Sequence, residues 1–335
     1  MNPKAPSVLV TGGAGYIGAH TTHQLLAAGH QVTVVDNLYS GHRWAVPPEA
    51  DFHQLDAGDR EAMQGLMQSQ KFDAVIHFAG HIVVPESVCD PGKYYRNNVV
   101  GSLNLIECCQ KANVGLFVFS SSAAVYGNPE ELPVREDSPT DPINPYGRTK
   151  LMTEWTLRDF AQRSGWGQPM RYVALRYFNV AGARLDGTLG QATPEATHLI
   201  KVACEAACGR RDSVSIFGTD YDTKDGTCIR DYIHVEDLAA VHLKALNYLA
   251  RGGSPAVLNC GYGRGFSVRE VLETVQKVSG HDIHMVESDR RAGDPAELVA
   301  DNRLVGQTLD WMPEYDDLEL ICRTAYQWEC KSPWN

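Results

Sequence analysis

Short, wholly apolar runs alternate with helix-length stretches through the first half of the chain. Ser7-Val8-Leu9-Val10-Thr11 reads as a buried strand. A glycine cluster follows, then a helix from about Tyr16 to Ala28 that Gly29 stops. Gln31-Val32-Thr33-Val34-Val35-Asp36 is the next strand. Asp59 is placed to cap a helix over Arg60 to Met67, and Asp73 to Phe78 is again strand-like. A helix fits Tyr94 to Ala112, a strand Leu116 to Ser120, a helix Tyr146 to Ser164, and a strand Tyr172 to Arg176. Strands that are apolar throughout, alternating with helices, predict a parallel sheet covered on both faces: an α/β, doubly wound Rossmann domain.

After Asn179 the pattern loosens. Glycines and prolines accumulate, and Gly218 to Gly226 is polar. Helices fit Glu195 to Cys208 and Glu236 to Ala250, with a short strand at Val257 to Cys260. Ser267 and Glu270 form a capping box opening a helix to Ser279, and Gly280 stops it. The expected division is a dinucleotide-binding domain over 1–180 and a smaller α/β lobe over 181–335. Some later segments, about 230–260, should return to the first domain. The second lobe would lie over the sheet edge where ligands bind.

Composition narrows the classes. Of the 335 residues, 43% are hydrophobic and 21% charged, as in an ordinary globular protein, and the net charge is −11. So acidic a chain makes a poor general binder of nucleic acid or anionic membrane. No apolar run approaches the roughly 20 residues of a membrane span, and the first residues do not read as a signal peptide. Nine scattered cysteines without Cys-x-x-Cys argue against a disulfide framework and a zinc site. Reduced thiols in the cytoplasm are the simplest account. His20 and His23 lack further ligands, so no metal is expected.

The chemistry lies in two clusters. Gly12, Gly15 and Gly18, with Tyr16 and Ile17 between them, sit between the first strand and first helix. A tight turn is needed there, and backbone N–H groups can face a diphosphate. Asp36 ends the second strand 18 residues after Gly18, placed to accept from a ribose 2′-hydroxyl; this favours NAD over NADP. Asn37, Asp56 and Ala57, Phe78-Ala79-Gly80 and Asn97 are lesser cofactor candidates; Asn97 reads equally as a helix-capping amide.

The second cluster is Tyr146 and Lys150, four apart on a helix that Asn144-Pro145 would open. A lysine charge on that face should lower the phenol's pKa and make it a base for a substrate alcohol. A bare Tyr-x-x-x-Lys arises by chance, and a serine-rich turn such as Ser120-Ser121-Ser122 is common. Ser122 nevertheless precedes Tyr146 by 24 residues, at a strand end that should gather beside the cofactor.

With both clusters in hand, the chain resembles the extended short-chain dehydrogenase/reductase superfamily, and within it the UDP-glucose 4-epimerase family. The resemblance runs almost end to end. It includes Val10 to Gly18, Asp36-Asn37-Leu38, Val75 to Gly80, Pro85 to Val88, Ser120 to Gly127, Asn144 to Gly147, Leu175 to Asn179, Gly209 to Asp212 and Arg230 to Val235. It implies bound NAD, a UDP-sugar substrate, a homodimer, and interconversion of UDP-glucose and UDP-galactose by transient oxidation at C4. Ser122, Tyr146 and Lys150 would be catalytic, with Ser120 and Tyr177 beside the cofactor. Asn179, His198, Leu199, Ser215, Phe217, Arg230, Arg291, Asp294 and Leu298 would meet the substrate. Arg230 and Arg291 would take the diphosphate, Phe217 the uracil and Asp294 the uridine ribose.

Departures from the family also carry expectations. Ala123 and Ala124 follow Ser122 where related dehydratases and decarboxylases carry a carboxylate, so elimination and decarboxylation are not expected. Ile82 replaces a lysine on the cofactor phosphates, implying easier NAD exchange. Bulky Leu298 at the gate position implies plain hexoses. Epimerisation of UDP-N-acetylglucosamine, UDP-xylose or UDP-glucuronate is the nearer alternative, and a non-catalytic NAD sensor the farther one.

Overall fold

The computed structural model describes residues 6–162, 169–291 and 294–331. Its framework is a seven-stranded parallel sheet. Chain order begins with β1 (Ser7–Thr11), α1 (Tyr16–Ala27), β2 (Gln31–Val35), β3 (Asp51–His53), α2 (Arg60–Ser69) and β4 (Ala74–His77). Then come α3 (Val84–Cys89), α4 (Pro91–Tyr94), a π-helical turn (Tyr95–Gly101), α5 (Ser102–Lys111), β5 (Leu116–Ser122), α6 (Pro145–Gln162) and β6 (Arg171–Tyr177).

Alternate residues of each strand bury opposite faces of the sheet. Val8, Val10, Val34, Ile76 and Val118 join Leu25 of α1 in one core cluster. Leu9, Val35, Val75, Phe117 and Phe119 join Met63 of α2, Leu105 of α5 and Leu157 of α6 in the other. Uniformly apolar strands are the sequence consequence of this two-sided burial.

The second half contributes β7 (Asn179–Ala181), α7 (Leu199–Ala207), β8 (Val214–Phe217), β9 (Ile229–His234), α8 (Val235–Ala250) and β10 (Ala256–Cys260). It ends with β11 (Gly265–Ser267), α9 (Val268–Ser279), β12 (Met285–Ser288), β13 (Glu297–Leu298), α10 (Arg303–Leu309) and α11 (Leu318–Lys331). β10 runs parallel to β6, Leu258 opposite Leu175, and completes the large sheet in the order β10-β6-β5-β4-β1-β2-β3. Leu238, Val241 and Ala245 of α8 pack into the cluster that holds Leu25. A four-stranded sheet (β7, β9, β11, β13) and the β8–β12 pair carry the rest of this half.

Strand order reverses between β1 and β4, and carboxyl ends on either side of such a reversal leave a crevice for a ligand. Local signals behave as their chemistry requires. Asp59 accepts from the N–H groups of Glu61 and Ala62, the Ser267–Glu270 capping box forms, and Gly29 and Gly280 adopt positive φ at their helix ends.

Two expected helices differ, and the end of a third is not described. The Tyr94–Ala112 helix is interrupted by the π-helical turn, where the Asn97 and Asn98 side-chain oxygens both accept from His81 N. The Glu195–Cys208 helix starts only at Leu199, because Glu195 has φ +48° and His198 is the N-cap. The end expected at Ser164 lies outside the described residues. No described helix is long and apolar enough to cross a membrane.

Candidate active site

A cavity of about 760 Å³ runs along the carboxyl ends of the central strands. One end is built from the β1–α1 turn. Gly12 has φ +74°, and a Cβ there would lie 2.6 Å from the backbone N of Ala79. A Cβ on Gly18 would lie 2.2 Å from Gly12 O, so helix and turn approach as closely as backbone allows. Gly15 caps α1 without a side chain, and Gly15, Tyr16, Ile17 and Gly18 all border the cavity. A diphosphate at this helix end meets bare N–H groups.

Asp36 borders the same end. Its Oδ2 accepts from Ala14 N at 3.0 Å and its Oδ1 from Leu38 N at 2.8 Å, and burial raises its pKa. A ribose hydroxyl offers such a buried carboxylate a further donor. Asn37 donates to Asp56 at 3.3 Å, and Asn37, Asp56, Ala57, Phe78, Ala79, Gly80 and Asn97 line the wall. These residues fit a dinucleotide.

Toward the middle, α6 opens as its sequence requires. Asn144 Oδ1 accepts from Gly147 N at 2.8 Å, and Pro145 is the first helical residue. A Cβ on Gly147 would lie 2.4 Å from Ala124 O, so glycine lets the helix start press against the turn after β5. Tyr146 thereby faces Ser122, whose hydroxyl hydrogen-bonds the phenol.

Lys150, one turn on, is 3% exposed. Its Nζ donates to Ser120 O at 2.7 Å and stands 5.8 Å from the Tyr146 ring centroid. Burial pushes it down to about 8, with Glu154 opposing. The expectation that Lys150 lowers the phenol needs correcting. Burial raises Tyr146 above its ordinary value, and only the Ser122 hydrogen bond opposes it. The ammonium is directed at a carbonyl at the strand end, while burial opposes ionisation of the phenol.

Asn98 went unnoticed in the sequence. Its Nδ2 donates to Thr149 Oγ1 at 3.1 Å, its Oδ1 accepts from His81 N at 2.8 Å, and Thr149 donates to Tyr146 O at 2.7 Å. It therefore fixes the first turn of α6. Only the π-helical turn turns it inward, and no local pattern announces such a turn. Glu154 was also missed, although it lies four residues beyond Lys150 on the same helix face.

At the far end Asn179, Arg230, Arg291, Asp294, His198 and Leu298 border the cavity, as do Ser120 and Tyr177 nearer the middle. Arg230 Nη2 is 3.5 Å from Asp294 Oδ1. The Gln191 amide donates to His198 Nδ1 at 3.0 Å, which leaves Nε2 as the protonated nitrogen, and burial lowers this imidazole's pKa. Gln191 and Thr193, from a loop the sequence did not mark, also border the cavity.

Three expected contacts fall elsewhere. Leu199 begins α7 and packs on the main core. Ser215 lies on β8, opposite Val286 of β12, outside the cavity lining. Phe217 is likewise outside the lining and has the Arg291 Cζ 3.8 Å above its ring, so an arginine occupies the face expected for uracil.

Comparison with known proteins agrees with this geometry. Residues 8–261 match the model of the NAD dependent epimerase/dehydratase family. The UDP-glucose 4-epimerase of Azospirillum brasilense is 55% identical over 97% of this chain and 92% of its own length. Among solved structures, UDP-glucose 4-epimerase from Brucella ovis in complex with NAD superposes with a TM-score of 0.92. It is 46% identical over 96% of this chain and 98% of that one. The UDP-Glc/GlcNAc 4-epimerase of Campylobacter jejuni gives a TM-score of 0.85 at 49% identity, covering 98% of this chain and all of that one (100%). A dinucleotide turn, a Ser–Tyr–Lys cluster on one crevice and relatives matched along nearly their whole length agree: this chain belongs to the NAD dependent epimerase/dehydratase family, among its UDP-glucose 4-epimerases.

Proposed function

We propose that this chain interconverts UDP-glucose and UDP-galactose by reversible oxidation at sugar C4. The observation that carries the reading is Tyr146, paired with Ser122 and backed by buried Lys150, on the same cavity as the glycine turn and two arginines. NAD, when bound, accepts and returns a hydride, and its positive charge favours the phenolate. Tyr146 Oη then takes the proton of the C4 hydroxyl, and Ser122 Oγ holds the same oxygen. Lys150 stays hydrogen-bonded to Ser120 O and keeps a positive charge beside the phenolate. After the keto sugar presents its other face, Tyr146 returns the proton.

Turning the sugar requires a fixed diphosphate and a loosely held ring. Arg230, Arg291 and Asn179 are assigned the diphosphate end. His198 Nε2–H is assigned as a further donor to the substrate. Among the described residues lining the cavity the carboxylates are Asp36, Asp56 and Asp294, and the two residues directly after Ser122 are alanines. Elimination or decarboxylation would need such a group near the keto sugar.

The test is to incubate the purified protein with UDP-galactose and quantify UDP-glucose, with and without added NAD⁺. UDP-glucose should form in both, faster with NAD⁺ because Ile82 lends the cofactor no charge. No product in either sample sinks the reading. UDP-N-acetylglucosamine, in a parallel sample, should turn over at least tenfold more slowly, since the Leu298 side chain narrows the sugar end. Equal rates would reassign the chain to both sugar classes.

We further propose a cytoplasmic homodimer. Val100 of the π-helical turn and Met152 and Trp155 of α6 are 51%, 37% and 45% exposed, on helices packed against each other. That apolar face suits a second copy. Sedimentation of the wild type at twice the monomer mass, and of Trp155→Glu at the monomer mass, is expected; a monomeric wild type would refute it.

A further inference from the structure

Four of the nine cysteines lie on two neighbouring helices of the second half. Cys204 and Cys208 belong to α7 and its end, Cys322 and Cys330 to α11. Cys204 and Cys322 are buried. Cys208 is half-buried, Cys330 is exposed, and their sulfurs are 3.3 Å apart. A disulfide needs about 2.05 Å, so the approach still required is shorter than one carbon–sulfur bond. We infer that Cys208 and Cys330 form a reversible thiol–disulfide site that tethers α11 to α7.

The oxidant is a small disulfide such as oxidised glutathione. The exposed Cys330 thiolate attacks one of its sulfurs, that S–S bond breaks, and one small thiolate leaves. Cys208, losing its proton to solvent, attacks Cys330 Sγ and expels the second. The protein gives up two protons and two electrons, and the small disulfide becomes two thiols. Cys330 acts first because it is reachable. Burial and the neighbouring Cys330 sulfur push the Cys208 thiol up to about 12, so it acts as the second nucleophile.

The tether reaches toward the substrate end of the cavity. Trp328, two residues before Cys330, donates its indole N–H to Gln191 O at 3.0 Å. A Cβ on Gly190 would lie 2.4 Å from the Trp328 ring, so helix and loop are in direct contact. Gln191 in turn holds His198, the N-cap of the helix that Cys208 terminates. The bridge therefore closes a ring around the segment carrying both residues.

The experiment treats the full-length protein, as purified, with oxidised glutathione and maps its peptides without reduction. A peptide joining Cys208 to Cys330 should account for most of both residues and disappear with dithiothreitol. Cys330→Ser should lack it, and Cys208→Ser should retain glutathione on Cys330. Oxidation should raise Tm by a few degrees in the wild type and not in Cys330→Ser, since a bridge restricts the unfolded chain. Glutathione left on wild-type Cys330 without the joined peptide, a bridge from Cys330 to another cysteine, or a bridge without a rise in Tm overturns the inference.

Discussion

Replacing Tyr146 by phenylalanine is expected to lower kcat for UDP-galactose by about 10²–10⁴-fold, the usual worth of a positioned acid–base group. The reasoning is local. The Tyr146 phenol is hydrogen-bonded to Ser122 and borders the same cavity as the glycine turn. Phenylalanine keeps the ring packing, so α6 and its cap should be undisturbed. NAD should stay bound, because the helix end, Asp36 and the Phe78–Gly80 wall are untouched. The checks are a coupled turnover assay and direct quantification of NAD in the purified variant. Near-normal turnover would remove Tyr146 as the base; loss of NAD would make the variant uninformative about protons and show that the ring holds the cofactor.

The second large effect is on stability. Glu154→Ala is expected to cost about 3–5 kcal/mol, the typical penalty for leaving one partner of a buried ion pair alone. Arg176 meets Glu154 twice, at 2.7 and 3.0 Å, and the two side chains are only 6% and 5% exposed. Glu154 also accepts from Ser121, and Arg176 Nη1 donates to Tyr126 at 2.8 Å, which donates to Asn259 at 2.7 Å. One network thus joins the ends of β5 and β6 to α6 and β10. Urea unfolding followed by circular dichroism measures the cost. Replacing both partners by apolar residues, as in Glu154→Leu with Arg176→Met, should recover much of it, because no charge is then stranded. A single variant costing under about 1 kcal/mol would mean that water reaches the pair.

This network also explains how the catalytic end is held still. Ser121 immediately precedes Ser122, and Glu154 lies on the same helix as Tyr146 and Lys150. A pair with no contact to substrate fixes the distance between the strand end and the helix face. Disturbing it should weaken activity before the protein unfolds.

Features that depend on neighbours in sequence were legible from the chain. The glycine turn, Asp36, the Asn144–Pro145 helix start and the Ser267–Glu270 box each combine a side-chain chemistry with a fixed short spacing. Features that depend on distant pairing were not. β9 finds three partners, β7, β11 and β13, and none of these short, half-buried strands has an apolar run of its own. The Asn98 amide depends on a π-helical turn, and Arg176 meets Glu154 across 22 residues. The Tyr146 pKa was misjudged for the same reason. Spacing alone places an ammonium near a phenol, but says nothing of the carbonyl that ammonium prefers or of the burial that opposes ionisation.

The edge strand β10 has a consequence for how the protein comes into being. Synthesis delivers β6 long before residues 256–260, and in between the chain leaves the large sheet to build α7, β8, β9 and α8. Until β10 emerges from the ribosome, β6 presents an open edge that invites pairing with another nascent chain. Leu25 of α1 and the α8 residues that share its core cluster wait for each other over the same interval. A truncated product ending near residue 180 would keep every glycine of the cofactor turn and six of the seven strands, yet stall with β6 as a sticky open edge. Chaperone capture during translation should therefore be strongest in that window and ease once residue 260 is free.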